Sequence, residues 1–269
     1  MILGISSYTY TWAAGVTGHY PAVRLSHAGL LEKAVQLGVK VVQIADNMPL
    51  HELSPDGLDD LAGKAGELGI ELEAGSNMMT PENIEKYIGI AERIRSKILR
   101  FVIDGPGYAP PLREIVSVIR NAEPELRRRK IVLALENHDR LFSHEFRSVI
   151  ETVASRYVGI CLDCANSLGA GEGIREVVGN LSPYVVNFHL KEIAIKRKIH
   201  RMGFDVEGVP FGKGMLPLEW ILQQLTEKCR TAILELWTPP EPDILQTTEK
   251  ENRWAEESIA WLKMYIKHA

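Results

Sequence analysis

Short apolar runs recur along the chain, at Ile2 to Ser6, Lys40 to Ile44, Ile70 to Ala74, Leu99 to Ile103, Ile131 to Leu135, Val158 to Leu162, Val185 to Phe188 and Ala232 to Leu236. They are continuous rather than alternating, as expected of parallel strands covered on both faces. Between them lie segments with helical spacing, such as Leu30, Leu31, Ala34, Val35 and Leu37, or Ile84, Tyr87, Ile88, Ala91 and Ile94. Ser54-Pro55 and Thr80-Pro81 each set a capping residue before a proline suited to the first helical turn. Leu37-Gly38-Val39 and Leu68-Gly69-Ile70 stop a helix with glycine just before the next strand. The pattern predicts strand and helix in alternation throughout.

Eight such units close into a barrel or spread into an open doubly wound sheet. An open sheet gathers its chemistry at one switch point, whereas a barrel spreads it over the C-terminal ends of many strands. Here polar residues stand at the ends of four successive strands: Leu135-Glu136, Leu162-Asp163, Phe188-His189 and Leu234-Glu235. This predicts an α/β fold, a single (β/α)8 TIM barrel spanning 1–269.

Composition narrows the partners. With 45% apolar and 25% charged residues, 269 residues are enough for a sizeable core. A net charge of −4 offers no basic footprint, so nucleic acid is not expected as a partner. The start Met1-Ile2-Leu3-Gly4-Ile5 lacks a basic leader, and no apolar run approaches the roughly 20 residues of a membrane span. A soluble cytoplasmic protein is expected, and a homo-oligomer is compatible with such a barrel. Cys161, Cys164 and Cys229 are too few for a disulfide framework. Cys161-Leu162-Asp163-Cys164 matches C-x-x-C, but a strand aims residues three apart in opposite directions, so both are expected as buried thiols.

A carboxylate in an apolar run is costly to bury unless it is paired or binds a metal. Any one of Glu136, Asp163, His189 and Glu235 could be a rim ion pair, but one shared cation accounts for all four. Three carboxylates and an imidazole suit Mn²⁺ first, with Mg²⁺ or Co²⁺ as alternatives, better than a structural zinc site.

Glu, Asp, His and Glu at the ends of strands five to eight resemble the xylose-isomerase-like barrels, the sugar phosphate isomerases and epimerases. Gly208-Val209-Pro210-Phe211-Gly212-Lys213-Gly214 is similar to their glycine-rich loop. The resemblance implies that Glu136, Asp163, His189 and Glu235 hold one divalent cation and that Glu136 and Glu235 can move protons. It implies a small carbohydrate-like substrate. Two positions depart from the epimerase pattern: Asn166 stands where a substrate-binding His is usual, and Ile195 where an Arg is usual. Lys191, two residues past His189 and on the same side of a continuing strand, is the candidate replacement and a third candidate catalytic residue.

Other rim residues are candidate substrate contacts: Tyr10 and Trp12 after strand one, His51 after strand two, Asn77 after strand three, His138 beside Glu136, Asn166, and Trp237 beside Glu235. Tyr8, Asp46 and Asn47 share that rim; Asp104 is expected to shape a turn, Glu192 to lie behind the site or at the surface, and Lys196 to Lys198 to form a charged loop.

A cation there binds adjacent oxygens of a hydroxy-carbonyl compound and stabilises an enediolate. Proton removal then gives isomerisation or epimerisation, the expectation on family frequency; loss of CO₂ from a 3-oxo acid or loss of hydroxyl gives a lyase. The runs Gly4 to Trp12 and Val42 to Asn47 also resemble the 3-oxo-isoapionate decarboxylases of the same superfamily. Two rivals stand further off: an apurinic-site endonuclease, which needs a basic groove, and a sugar-binding protein, which needs no open cation.

Overall fold

A computed structural model describes residues 1–266, so the last three residues of the predicted domain lie outside it. Strands β1 (Ile2–Ser6), β2 (Val41–Ile44), β3 (Glu71–Ser76), β4 (Ile98–Val102), β5 (Val132–Glu136), β6 (Val158–Asp163) and β7 (Val185–Leu190) follow one another around a closed barrel. A hairpin of β8 (Ile193–Arg197) and β9 (Phe204–Gly208) intervenes, and β10 (Thr231–Leu234) completes the barrel between β7 and β1. All barrel pairings are parallel. No described helix is long and apolar enough to cross a membrane.

The local signals act as their chemistry requires. The side chains of Ser54 and Thr80 accept from the N–H groups of Gly57 and Asn83, each with proline in the first turn. Gly38 ends its helix at φ 63°, a left-handed conformation that costs glycine little. Strand residues such as Leu3, Ile5, Leu99, Phe101, Leu133 and Leu135 are fully buried in the core shared with the helices. Cys164 packs in that core, whereas Cys161 lies inside the barrel with its thiol donating to Asn187 Oδ1 at 3.0 Å. Both are free thiols, and burial pushes both well up from the usual cysteine value.

One expectation is corrected. Lys196 and Arg197 belong to the antiparallel hairpin strand β8, not to a loop, with Ile195 paired to Val206 and Arg197 to Phe204, and only Lys198 falls in the connection to β9. The sequence concealed this because the strands are short and interleaved with charge, and their apolar residues Ile195, Phe204 and Val206 stay exposed rather than feeding a core. At the hairpin base, a Cβ on Gly208 would lie 2.1 Å from the carbonyl oxygen of Trp237, so only glycine permits that approach. Glu192 is buried, its Oε1 accepting from Leu216 N at 2.9 Å and Ile193 N at 3.2 Å, and thereby fixes the loop beyond β9.

Candidate metal centre

Parallel pairing sets Asp163 beside His189 and Glu136 beside Cys161, so the ends of β5, β6 and β7 meet at one level. Glu235 follows β10, its backbone N–H donating to Leu190 O at 3.0 Å. Ligand atoms of Glu136, Asp163, His189 and Glu235 all lie within 4.8 Å of one another, and all four residues are buried. His189 Nδ1 is 3.5 Å from Glu136 Oε2, 3.5 Å from Glu235 Oε1 and 4.0 Å from Asp163 Oδ2. Ligands adjacent around a small divalent cation stand about 3 Å apart, so a slight contraction would bring these four to bonding distance.

The polar atoms facing that centre are left open. His189 Nδ1 and Glu235 Oε1 are buried with no hydrogen-bond partner. Asp163 Oδ2 meets only Lys191 Nζ, at 2.7 Å and without hydrogen-bond alignment. Buried polar atoms seldom remain unpaired, and three aimed at one point fit a cation between them. A second grouping, Glu136, Cys161 and His189, also converges, but the Cys161 thiol is held protonated by burial and spent on Asn187.

Two cations flank the acids. Arg100 from β4 donates through Nε to Glu136 Oε2 and through Nη1 to Asp46 Oδ1 at 2.8 Å. Burial penalises the Glu136 carboxylate, but Arg100 and His189 outweigh it and hold the group well below the usual carboxylate range. Lys191 Nζ lies 2.7 Å from Asp163 Oδ2, 3.1 Å from Glu235 Oε2 and 3.3 Å from Asn166 Oδ1, and 5.0 Å from the centre of the Trp237 ring. Burial alone would lower the Lys191 pKa, yet Asp163, Glu235 and Glu136 raise it above the usual lysine value, so it stays an ammonium.

Below the acids lies a second polar layer. Glu73 on β3 accepts from Gln43 Nε2 at 3.0 Å, Asn187 Nδ2 at 3.1 Å and Thr231 Oγ1 at 2.7 Å. Burial raises the Glu73 pKa, while the hydrogen bonds from Thr231 and Gln43 oppose that rise. Gln43 Oε1 faces His189 Nε2 at 2.8 Å.

A cavity of about 570 Å³ opens above the cluster, lined by Glu136, Lys191 and Glu235 together with Tyr8, Asp46, Asn77, Arg100, His138, Asn166 and Trp237. Asn77, His138, Asn166 and Trp237 thus sit where substrate contacts were expected. Tyr10, Trp12 and His51 do not line it, which corrects the expectation that they wall the pocket. Tyr10 is buried in the core. The chain after β1 turns outward to the helix Ile244–Leu262, where Glu251 accepts from the N–H groups of Trp12 and Ala13, while Trp12 Nε1 donates to Thr238 O at 2.8 Å. His51 is exposed and outside the cavity lining, its Nδ1 2.8 Å from the hydroxyl of buried Tyr87. Asp104 forms a two-pronged pair with Arg140.

Arg100 is the main residue that sequence reasoning missed. It lies mid-strand among apolar neighbours, and an arginine buried there needs acidic partners, a signal that was present but unused. Tyr8 carries a weaker signal; its hydroxyl donates to Asp46 Oδ2 at 2.8 Å.

Fold and side chains together define a (β/α)8 barrel with an acid-rich cluster at the C-terminal ends of its strands that could hold a metal ion. The chain belongs to the xylose isomerase-like TIM barrel family, whose model matches residues 31–265. It is 29% identical over 264 residues to the 3-oxo-isoapionate decarboxylase of Pectobacterium atrosepticum, covering 97% of this chain and 95% of that relative. Among solved structures it superposes on D-psicose 3-epimerase with a TM-score of 0.72 at 16% identity, covering 98% of this chain and 99% of that one. A xylose isomerase-like TIM barrel protein from Mycobacterium smegmatis in complex with magnesium matches with a TM-score of 0.69 at 15% identity, over 97% of both chains. At such identities the two structures attest the fold alone.

Proposed function

We propose that the chain is a divalent-metal-dependent lyase that removes CO₂ from a small 3-oxo sugar acid. Glu136, Asp163, His189 and Glu235 would hold the cation, which when bound supplies a Lewis acid that draws negative charge onto a carbonyl oxygen. The oxygen-rich donor set favours Mn²⁺, Mg²⁺ or Co²⁺.

The observation that carries the reading is the Lys191 ammonium, buried at the cavity floor against Asp163 and Glu235. A 3-oxo acid loses its carboxyl group when the carbon–carbon bond breaks and its electron pair moves toward the carbonyl; CO₂ departs, and the carbon left behind takes up a proton. Lys191 would attract the carboxylate on arrival and then deliver that proton, recovering it from water. Asn166 ties Lys191 to Glu136, accepting from Nζ and donating to Glu136 Oε1 at 2.8 Å. Tyr8, Asp46 and Asn77 present hydrogen-bonding groups to hydroxyls on the opposite wall. The cavity volume suits a sugar-sized molecule.

Epimerisation needs a proton carrier on each face of the substrate. Glu136 is a poor second carrier, because Arg100 occupies one of its oxygens and Asn166 the other. The likeness to a decarboxylase along nearly the whole chain supports the same choice.

The test is incubation in D₂O with Mn²⁺ and either a 3-oxo sugar acid of the isoapionate type or a ketohexose. The expected result is CO₂ release with one deuterium at the carbon that lost the carboxyl group, abolished by chelation. Deuterium entering the ketose without CO₂ would instead establish an isomerase.

A further inference from the structure

We infer that Glu73, acting through Gln43, is a positioning residue that fixes which ring nitrogen of His189 carries the proton and so presents Nδ1 as a bare donor to a cation. The inference rests on the metal reading for its purpose, but its geometry stands apart from it.

Hydrogen-bond directions are fixed one after another upward from Glu73. All three groups around this carboxylate present hydrogens: the Gln43 amide, the Asn187 amide and the Thr231 hydroxyl. Thr231 spends its one hydrogen on Glu73, so its oxygen accepts from Asn187 Nδ2 at 2.7 Å. The nitrogen of Asn187 therefore faces Glu73 and Thr231, and its Oδ1 faces the Cys161 thiol and Gln43 Nε2, at 3.0 and 3.2 Å. Both hydrogens of the Gln43 amide are then committed, to Glu73 Oε2 and Asn187 Oδ1. Flipping the Gln43 amide would point its oxygen at two acceptors at once, so Oε1 stays turned toward His189.

An oxygen that can only accept, 2.8 Å from Nε2, requires that nitrogen to carry hydrogen. The neutral ring then has its lone pair on Nδ1, the buried atom without a partner that faces Glu136, Asp163 and Glu235. One carboxylate two residue layers away thus orders two amides and decides the tautomer of an imidazole it does not touch. Groups that orient a metal-binding histidine in this way typically change metal affinity by about 10–100-fold when removed.

The experiment reads the His189 ring nitrogens by ¹⁵N NMR in protein with ¹⁵N-labelled histidine, at a pH above the ring's titration. His189 is identified among the eight histidines by loss of its signals in His189→Gln. Mn²⁺ affinity is measured alongside by calorimetry. Wild type should show hydrogen on Nε2. Glu73→Gln should give a mixture of tautomers and bind Mn²⁺ about 10–100-fold more weakly. The exchanged pair Glu73→Gln with Gln43→Glu keeps an acceptor under Nε2 and should restore the wild-type signature. Should Glu73→Gln fail to fold by circular dichroism, Gln43→Met removes the acceptor without touching Glu73 and should shift the tautomer equally. An unchanged His189 signature in the folded variants would overturn the inference. If wild type binds no divalent cation while the signature still shifts, the metal reading fails and the positioning role stands.

Discussion

Two layers of buried acid lie inside one barrel and are treated in opposite ways. Glu73 in the lower layer is met by three neutral donors, with hydrogen bonds to both its oxygens. In the upper layer Asp163, Glu235 and His189 each keep a buried atom without a hydrogen bond, and the charges there are met by Arg100 and Lys191. Neutral donors make a buried carboxylate a fixed part of the scaffold, because nothing further is needed to hold it. Open atoms beside buried cationic side chains hold a place for something that arrives later. Burial alone does not separate the two layers; the state of the last lone pair does.

The sharpest way to break this contrast is at Glu235, whose Oε1 has no partner. Glu235→Gln keeps the shape but loses a charge from the proposed cation site, so activity should fall to background while the melting temperature stays near wild type. Full turnover in that variant after chelation would remove the cation from the upper layer.

Lys191→Met comes next. If Lys191 delivers a proton, kcat at saturating substrate should drop by about 10²–10⁴-fold; if it only binds the carboxylate, KM should rise alone. Wild-type kinetics in this variant would take Lys191 out of the reaction.

Arg100→Met tests the cationic side of the contrast through stability. It leaves Glu136 and Asp46 facing each other without their shared partner, and removing one member of a buried charge network commonly costs about 3–5 kcal/mol. Chemical denaturation should show that loss, with part of it recovered on adding Mn²⁺. Stability that fails to rise with Mn²⁺ in wild type and variant alike would mean that the upper layer takes up no cation.

The smallest effect is expected for Cys164→Ser. Its thiol packs outside the barrel lumen and takes no part in either layer, so kcat should hardly change. A collapse by orders of magnitude would point to a redox role for the C-x-x-C pair.

The barrel was legible because each strand is a continuous apolar run and helix boundaries carry their caps in the sequence. The three acids and the histidine were legible for a related reason: each interrupts such a run at its end, where a polar residue needs a cause. Tyr10, Trp12 and His51 were misplaced because proximity to a strand end does not reveal which way the following chain turns, and the grip of Glu251 on residues 12 and 13 is 238 positions away for Ala13. Arg100 was overlooked because its partners, Asp46 and Glu136, come from β5 and the segment after β2, a pairing that only barrel closure creates. The hairpin escaped because its alternation serves no core.

The crossing of Arg100 between Asp46 and Glu136 also sets the electrical balance of the pocket. At formal charge, Asp46, Glu136, Asp163 and Glu235 face Arg100 and Lys191 around the cluster, a shortfall of two positive charges when His189 is neutral, and Asp139 adds a further acid on the cavity wall. A dication closes that shortfall at the cluster, and the mouth is left with the one formal negative charge of Asp139 beside His138. An acidic substrate would meet no long-range pull, only the local reach of Lys191 once it lets go of Asp163. Its capture rate should therefore change little with ionic strength, unlike that of enzymes that draw anions in from a distance.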